Sequence, residues 1–262
     1  MSATAVVHIG AAAGLIARPT AWPWLLGTVV ANHMALSAAG LWPRSRLLGP
    51  NWTSLPAQAA ARGEVALTID DGPDPHITPR VLQQLDEYQA RATFFCIGER
   101  VAQYADLARQ IVHRGHAIEN HSHRHLKRFS VLGPRAMARE IQQAQDVIGS
   151  ITGRPPDFFR APAGLRNPFL DPLLARLDLR LASWTRRGFD TLNRNPDTVL
   201  ETLTHGVRGG DILLLHDGHA GHTRSGSALI LEVLPRLLAT LASAGLTPVT
   251  LQSTLPREQT AA

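Results

Sequence analysis

A single cysteine, Cys96, among 262 residues excludes an internal disulfide and any cysteine-rich zinc module. It leaves the compartment open, because exported proteins also do without disulfides. Aromatic residues amount to only 5%, and no run of five or six like charges occurs, so the net charge of +5 comes from scattered arginines. Nucleic-acid binding wants a dense basic stripe interleaved with stacking rings, and neither is present. A basic chain beside an anionic membrane fits this balance better. No internal repeat and no low-complexity tract is evident. What the chain does contain is 44% hydrophobic and 18% charged residues, which excludes disorder throughout. Its length suffices for a substantial core in one large α/β domain or two small ones.

One absence is local. From Pro19 to Pro43 there is no Asp, Glu, Lys or Arg, and "WLLGTVVANHMALSAAGLW" runs from Trp24 to Trp42. As a helix those residues span about 28 Å, close to the hydrocarbon thickness of a bilayer. Trp22, Trp24 and Trp42 mark the two ends, as an interfacial aromatic belt would. Asn32, His33 and Ser37 oppose a span, since polar groups at mid-bilayer are costly. Ala3 to Ala17 is short for a span and reads as a re-entrant or second segment. A cleaved signal peptide and a buried helix are the competing readings. A signal peptide would carry its positive charge ahead of the apolar region, whereas Arg18 follows a long neutral leader. The sequence therefore predicts a hydrophobic segment of one or two helices over 1–46 that associates with the inner membrane. Arg44 and Arg46 directly after it favour a cytoplasmic catalytic domain. Residues 47–63 read as a linker, 64–254 as the catalytic domain and 255–262 as a tail.

From Glu64 the pattern becomes regular. Strand-like runs are "VALTID", "ATFFCIG", "HAIENHS", "DFFRAP", "LRLASWT", "DILLLHD" and "TPVTLQ". Helical periodicity fills Ile77–Tyr88, Glu99–Arg114, Pro134–Ile151, Asp197–Val207 and Ala228–Ala244 between most of them. Seven strands alternating with helices imply a parallel α/β sheet, either open and doubly wound or closed into a barrel.

In both architectures chemistry gathers past the C-terminal ends of the strands. After "VALTI" comes Asp70-Asp71-Gly72-Pro73, and after "HAIEN" comes "HSHRH" at 121–125. Arg160 follows "DFF", Asp190 comes shortly after "LRLASW", and His216-Asp217 follows "ILLL". Chance would scatter such residues over both ends, so this placement points to an enzyme. Asp70 and Asp71 would face opposite sides of an extended strand and so hold different jobs. Gly72-Pro73 turns the chain at once and exposes both. Asp74 reads as the cap of the following helix.

Carboxylates at the end of a buried strand need partners. The histidines supply them, because one Asp with two His is a common divalent-metal set that leaves room for water and substrate. His121 and His125 share a face if the chain enters a helical turn, which leaves His123 a bystander. His216 fits a general acid or base. Arg160 needs a carboxylate, with Asp70 or Asp190 the candidates. His219 and His222, in "DGHAGHTRSGS", read as loop decoration.

Assembled, these motifs resemble the polysaccharide deacetylase superfamily (carbohydrate esterase family 4, the NodB homology domain). "TIDDGPDP", "HSHRH", "RAPAG", "FDTLN" and "ILLLH" are similar to its five motifs, in order, between Glu64 and Gln252. The resemblance implies a distorted (β/α)7 barrel and a metal-dependent hydrolase that removes an N-acyl group, most often acetyl, from an amino sugar in a polysaccharide or lipid-linked glycan. It implies Asp70 as general base, His216 as general acid, Arg160 as orienter of the base and Asp190 as tuner of the acid. It also implies Asp71, His121 and His125 as ligands of a divalent metal, usually zinc, with cobalt, nickel or manganese as alternatives. An oxyanion donor at the Ala163 N–H, a loop-supporting Ser122, and Leu213 and Leu215 shaping the acyl pocket complete the set. The chain departs from the family at Ala163, where an aromatic is usual, and at Arg194, where Trp is usual. Those rings line a sugar groove, so with the apolar N-terminus their loss turns expectation toward a lipid-linked or membrane-proximal sugar. A deformylase of a lipid-linked sugar, an O-acetyl esterase and an inactive membrane-attached glycan-binding scaffold are the alternatives. A scaffold would be expected to have lost a ligand or the base, and this chain keeps both.

Overall fold

Alternation along the first strand, β1 (Glu64–Asp70), sets the frame of the molecule. In the computed structural model, which describes residues 2–255, Val65, Leu67 and Ile69 pack outward against helices. Ala66 packs inward with Phe95, Phe158, Trp184, Ile212 and Leu214. That is the period of two expected of a strand buried on both faces. The remaining strands are β2 (Thr93–Cys96), β3 (Ala117–Asn120), β4 (Phe158–Phe159), β5 (Arg180–Leu181), β6 (Arg186–Arg187), β7 (Ile212–His216) and β8 (Thr247–Val249). All pairs are parallel, in the order β5-β4-β3-β2-β1-β7-β6. Only residues 182–185 separate the two edge strands β5 and β6, so the sheet has to curl until its edges approach. The result is a distorted (β/α)7 barrel. β8 pairs only Glu64–Ala66 of β1, while β2 pairs Thr68–Asp70, so β8 closes the base and adds nothing to the rim.

The helices cover the outer face. α4 (Thr78–Glu87), α6 (Ala105–His113), α7 (Pro134–Thr152), α9 (Pro196–Thr204) and α10 (Leu229–Ser243) follow the predicted periodicity. Each apolar side chain they fully bury, such as Leu82 and Leu85 of α4, contributes about 1.5–3 kcal/mol. The stretch read as one helix over Glu99–Arg114 is two, α5 (Gly98–Gln103) and α6, broken at Tyr104. The single strand read in "LRLASWT" ends at Leu181, and the sheet resumes one turn later as β6. A short helix α8 (Leu170–Arg176) fills the β4–β5 crossover, where no helix was expected.

The segment 47–63 is not a linker. Trp52 pairs with Ala182 as a one-residue parallel bridge, Leu55 sits in the barrel core, and α3 (Ala57–Ala61) plugs the base with Ala59. The predicted tail lies outside the described residues apart from Leu255.

At the other end, α1 (Ser2–Ala17) and α2 (Trp22–Leu41) form a hairpin, with Gly14 packed on Leu25. The run Pro19–Leu41 is long and apolar enough to cross a membrane, and Trp24, Met34 and Leu41 on it are exposed. Its C-terminal end is joined to the barrel's rim. The Arg166 N–H donates to Gly40 O at 3.1 Å, and a Cβ on Gly40 would meet Arg166 O, so only glycine allows this approach. The Ser183 hydroxyl donates to Pro43 O at 2.6 Å. Arg44 and Arg46, read above as topology signals, donate to Thr185 O and Thr53 Oγ1.

Candidate active site

The chain leaves β1 through a left-handed residue, Asp71 (φ 75°). Extension therefore does not persist, and the two carboxylates do not part to opposite sides: Asp70 and Asp71 both line one cavity of about 150 Å³ at the strands' C-terminal ends. His121, His125, Ala163 and His216 line it too. The turns after β1 and β7 close on one another tightly, since a Cβ on Gly218 would lie 2.1 Å from Asp71 O. Left-handed Ser122, His125, Ala163, Phe189 and His219 crowd the same rim, the kind of backbone strain that collects at functional sites.

His121 and His125 converge as expected, with ring centroids 4.8 Å apart, but not through a helical turn. Residues 121–125 form no helix; Ser122 (φ 64°) and His125 (φ 50°) bend the loop instead. The Ser122 hydroxyl holds the bend by accepting the His125 N–H at 3.0 Å. His121 donates Nδ1–H to Arg160 O at 2.8 Å, which fixes the tautomer and turns the Nε2 lone pair inward. Nε2 of both His121 and His125 stands 3.2 Å from Asp71 Oδ1. Neither contact has hydrogen-bond geometry, so Oδ1 is a buried carboxylate oxygen without a hydrogen-bond partner. Three ligand atoms within 4.8 Å of one another, one an orphaned anion, suit a divalent cation.

Electrostatics agree with this fit. Burial works to raise the Asp71 carboxyl, but His121 and His219, with His125, hold it well below the usual carboxylate range. Burial and the neighbouring His121 push His125 down to about 4, so it presents a neutral imidazole at pH 7. Burial opposes charge on His121, yet Asp70 and Asp71 outweigh it and raise its pKa, and because a ligating imidazole must be neutral, metal binding competes with protonation there.

Behind this cluster lie two buried pairs. Arg160 Nη1 donates to Asp70 Oδ1 at 2.6 Å and to Thr68 Oγ1 at 2.9 Å, while Nε and Nη2 donate to the carbonyls of Ala182 and Ser183. The Phe95 ring lies 4.0 Å from its guanidinium carbon. Of the two acids open to Arg160, it takes Asp70. Asp190 instead accepts the His216 N–H at 2.7 Å and its Nδ1–H at 2.9 Å, leaving Nε2 toward the cavity. Burial lowers the His216 pKa, but the Asp190 bond, followed by the charges of Asp190 and Asp70, raises it overall.

Leu213 and Leu215 do not line the cavity. They point outward into the helix-facing core, and Leu214 takes the pocket wall. Strand parity decides this: if His216 points inward, so do 214 and 212. Trp184, Arg187 and Thr191 also line the cavity without having been anticipated. Arg194 lies elsewhere, on a surface concavity with Asn193 and Thr223. His219, read as loop decoration, donates Nδ1–H to Asp71 Oδ2 at 3.3 Å; only the close approach of Gly218 to Asp71 puts it there. Asp74, expected to cap α4, does not: the N-cap is Ile77 with no side-chain cap, and the Asp74 carboxylate accepts the N–H groups of His76 and Ile77 in the turn ahead of the helix. His123 turns away, its Nδ1 facing Gly98 of α5. We expect His123→Ala to keep one bound metal per chain, as read by elemental analysis after dialysis; a metal-free variant would contradict the geometry.

Positions 57–182 match the family described as polysaccharide deacetylase. A peptidoglycan-N-acetylglucosamine deacetylase of Bacillus cereus is 35% identical over 176 residues, covering 66% of this chain and 81% of the relative. A peptidoglycan-N-acetylmuramic acid deacetylase of Bacillus subtilis is 34% identical over 58% of this chain, which spans only 32% of that longer protein. Among solved structures, a family 4 carbohydrate esterase from Streptomyces lividans in complex with acetate superposes with a TM-score of 0.65 at 31% identity, over 73% of this chain and 95% of that one.

Proposed function

Because the chain belongs to the polysaccharide deacetylase family, hydrolases of carbon–nitrogen bonds, we propose that it removes an N-acyl group, most often acetyl, from an amino sugar in a glycan. The observation that carries this reading is a neighbouring pair. Asp70 and His216 are register partners at the ends of β1 and β7 and line one cavity, Asp70 held by Arg160 and His216 by Asp190.

Asp71, His121 and His125 would hold the divalent ion, with zinc favoured by the nitrogen-rich donor set. When bound, that ion supplies Lewis-acid polarisation of the acyl carbonyl and of water. The chain's own groups do the rest. Asp70 accepts a proton from water as the water oxygen attacks the carbonyl carbon, and Arg160 keeps the carboxylate aimed. Charge developing on the carbonyl oxygen meets the Ala163 N–H at the cavity rim. His216 Nε2 protonates the departing amine as the C–N bond breaks, while Asp190 steadies the imidazolium. Leu214 and Trp184 wall the space for the small acyl group.

The assignment of the acid makes a pH prediction. His216 acts protonated, so activity falls as pH rises through its pKa, and Asp190 raises that pKa. We expect Asp190→Asn to move the alkaline limb of the kcat/KM profile to lower pH; an unmoved limb would remove His216 from the acid role. The test of the function as a whole is metal-supplemented amine release from a panel of N-acetyl, N-formyl and O-acetyl sugars, soluble and lipid-linked. Release of acetate without amine would favour an O-acetyl esterase. Tight glycan binding with no release of any kind would favour a scaffold.

A lipid-linked substrate is the finer reading, with α2 crossing the membrane. One observation favours it: a largely apolar groove of about 980 Å³ runs between the hairpin and the barrel, walled by Leu36, Leu41, Leu48, Val131 and Phe169. Arg166 and Asn167 on its wall sit just past Ala163 and Gly164 of the catalytic rim. We expect Leu36→Trp to slow amine release from a sugar on a long isoprenoid phosphate more than from a soluble oligomer. Equal effects on both would sink the lipid-linked reading.

A further inference from the structure

The catalytic cavity contains a second guanidinium, and unlike the first it has no anion among the described residues. β6 pairs with β7 so that Arg187 stands opposite Leu214, and both line the cavity. The Arg187 guanidinium carbon lies 5.4 Å from the Trp184 ring and 5.1 Å from the Phe189 ring, so two aromatic faces fix its place. Its Nε is buried without a hydrogen-bond partner. Among the described residues no carboxylate lies within 4.0 Å of it, although its neighbour Arg186 pairs with Asp211 at 2.6 Å.

The acids close by are committed elsewhere. Asp70 is taken by Arg160, and Asp71 faces His121, His125 and His219. A half-buried cation with an unpartnered donor is costly unless a ligand completes it. Held flat, a guanidinium matches the two oxygens of a carboxylate or phosphate in a fork.

We propose that Arg187 is a specificity-determining residue that reads an anionic oxygen group, carboxylate or phosphate, borne by the sugar close to its N-acyl group. The inference rests on the amino-sugar reading above and names its substrate class. Anionic N-acyl sugars seat with that group on Arg187, which sets the acyl carbon against Asp70 and His216. Neutral sugars enter the same cavity without that anchor.

The test is binding, so that it does not depend on turnover. Full-length, zinc-loaded Asp70→Asn protein in detergent is titrated by calorimetry with three probes. They are a neutral N-acetylglucosamine oligomer, an oligomer containing N-acetylmuramic acid, and the methyl phosphodiester of N-acetylglucosamine 1-phosphate. We expect at least one anionic probe to bind at least about tenfold tighter than the neutral one, the scale of a hydrogen-bonded charge contact. Adding Arg187→Gln should abolish that preference, and Arg187→Lys should retain part of it. The responding probe separates carboxylate from phosphate. Equal weakening of all three probes, or no anion preference at the start, overturns the proposal; if Arg187→Gln does not fold, an undiminished preference in Arg187→Lys does so. Amine release by the wild type from the same probes reports separately on the proposed reaction. An anion preference without release would leave Arg187 as a binding residue and sink the hydrolase reading.

Discussion

His125→Ala loses the bound metal and turnover together, whereas Asp70→Asn keeps the metal and loses turnover alone. Both residues line one cavity, and both substitutions remove a polar group at the same rim. They differ in what they touch. His125 aims Nε2 at Asp71 Oδ1, a buried oxygen with no hydrogen-bond partner, and removing it takes away one of three convergent donors. Asp70 spends Oδ1 on Arg160, and its Oδ2 stands 3.9 Å from His121 Nε2, farther than Asp71 does. Loss of a positioned general base costs about 10²–10⁴ in rate. Elemental analysis beside initial rates of amine release separates the two outcomes. Equal metal loss in both variants would show that Asp70 is a ligand and would undo the assignment of the base.

Arg160→Met should destabilise the fold by about 3–5 kcal/mol, the cost of removing one partner from a buried ion pair. Arg160 is only 1% exposed, and its loss strands Asp70, the Thr68 hydroxyl and two carbonyls inside the barrel. Packing over the Phe95 ring is lost as well. For a domain of this size each kcal/mol shifts the melting temperature by about 2–4 °C, so thermal unfolding should fall by roughly 10 °C. An unchanged melting temperature would mean that the pair does not hold the β1 and β4 ends together. Asp70→Asn bears on the same bond from the other side. The neutral amide oxygen can still accept from Arg160, so stability should fall much less than activity.

The strands at their cores, five helices and the gathering of polar residues at one end were legible because they follow local periodicity. Two-residue strands such as β5 and β6 carry no period, so the run 179–185 was read as one strand although only Arg180–Leu181 is, and β6 just past it was missed. Segment 47–63 looked like a linker because its anchors are single residues spaced along polar chain: Trp52, Leu55 and Ala59. Only the curled sheet supplies the surfaces that bury them. Assigning Leu213 and Leu215 to the pocket failed for a reason that was present in the sequence. Parity with an inward His216 selects Leu214.

By itself the sequence determined the chemical inventory: two acids where the first strand ends, paired histidines after the third, an arginine after the fourth and a histidine at the end of β7. It also determined that these share one end of a parallel sheet, because parallel strands all point the same way. Tertiary structure alone decided the pairings. Arg160 chose Asp70 over Asp190, His219 reached Asp71, and Arg187 came to rest between Trp184 and Phe189 with no acid of the described residues beside it. The end of α2 was also joined to the catalytic rim through Gly40 and Arg166. Each of these depends on how far the sheet curls and which loops then touch, a sum over long-range contacts that no local run of residues encodes.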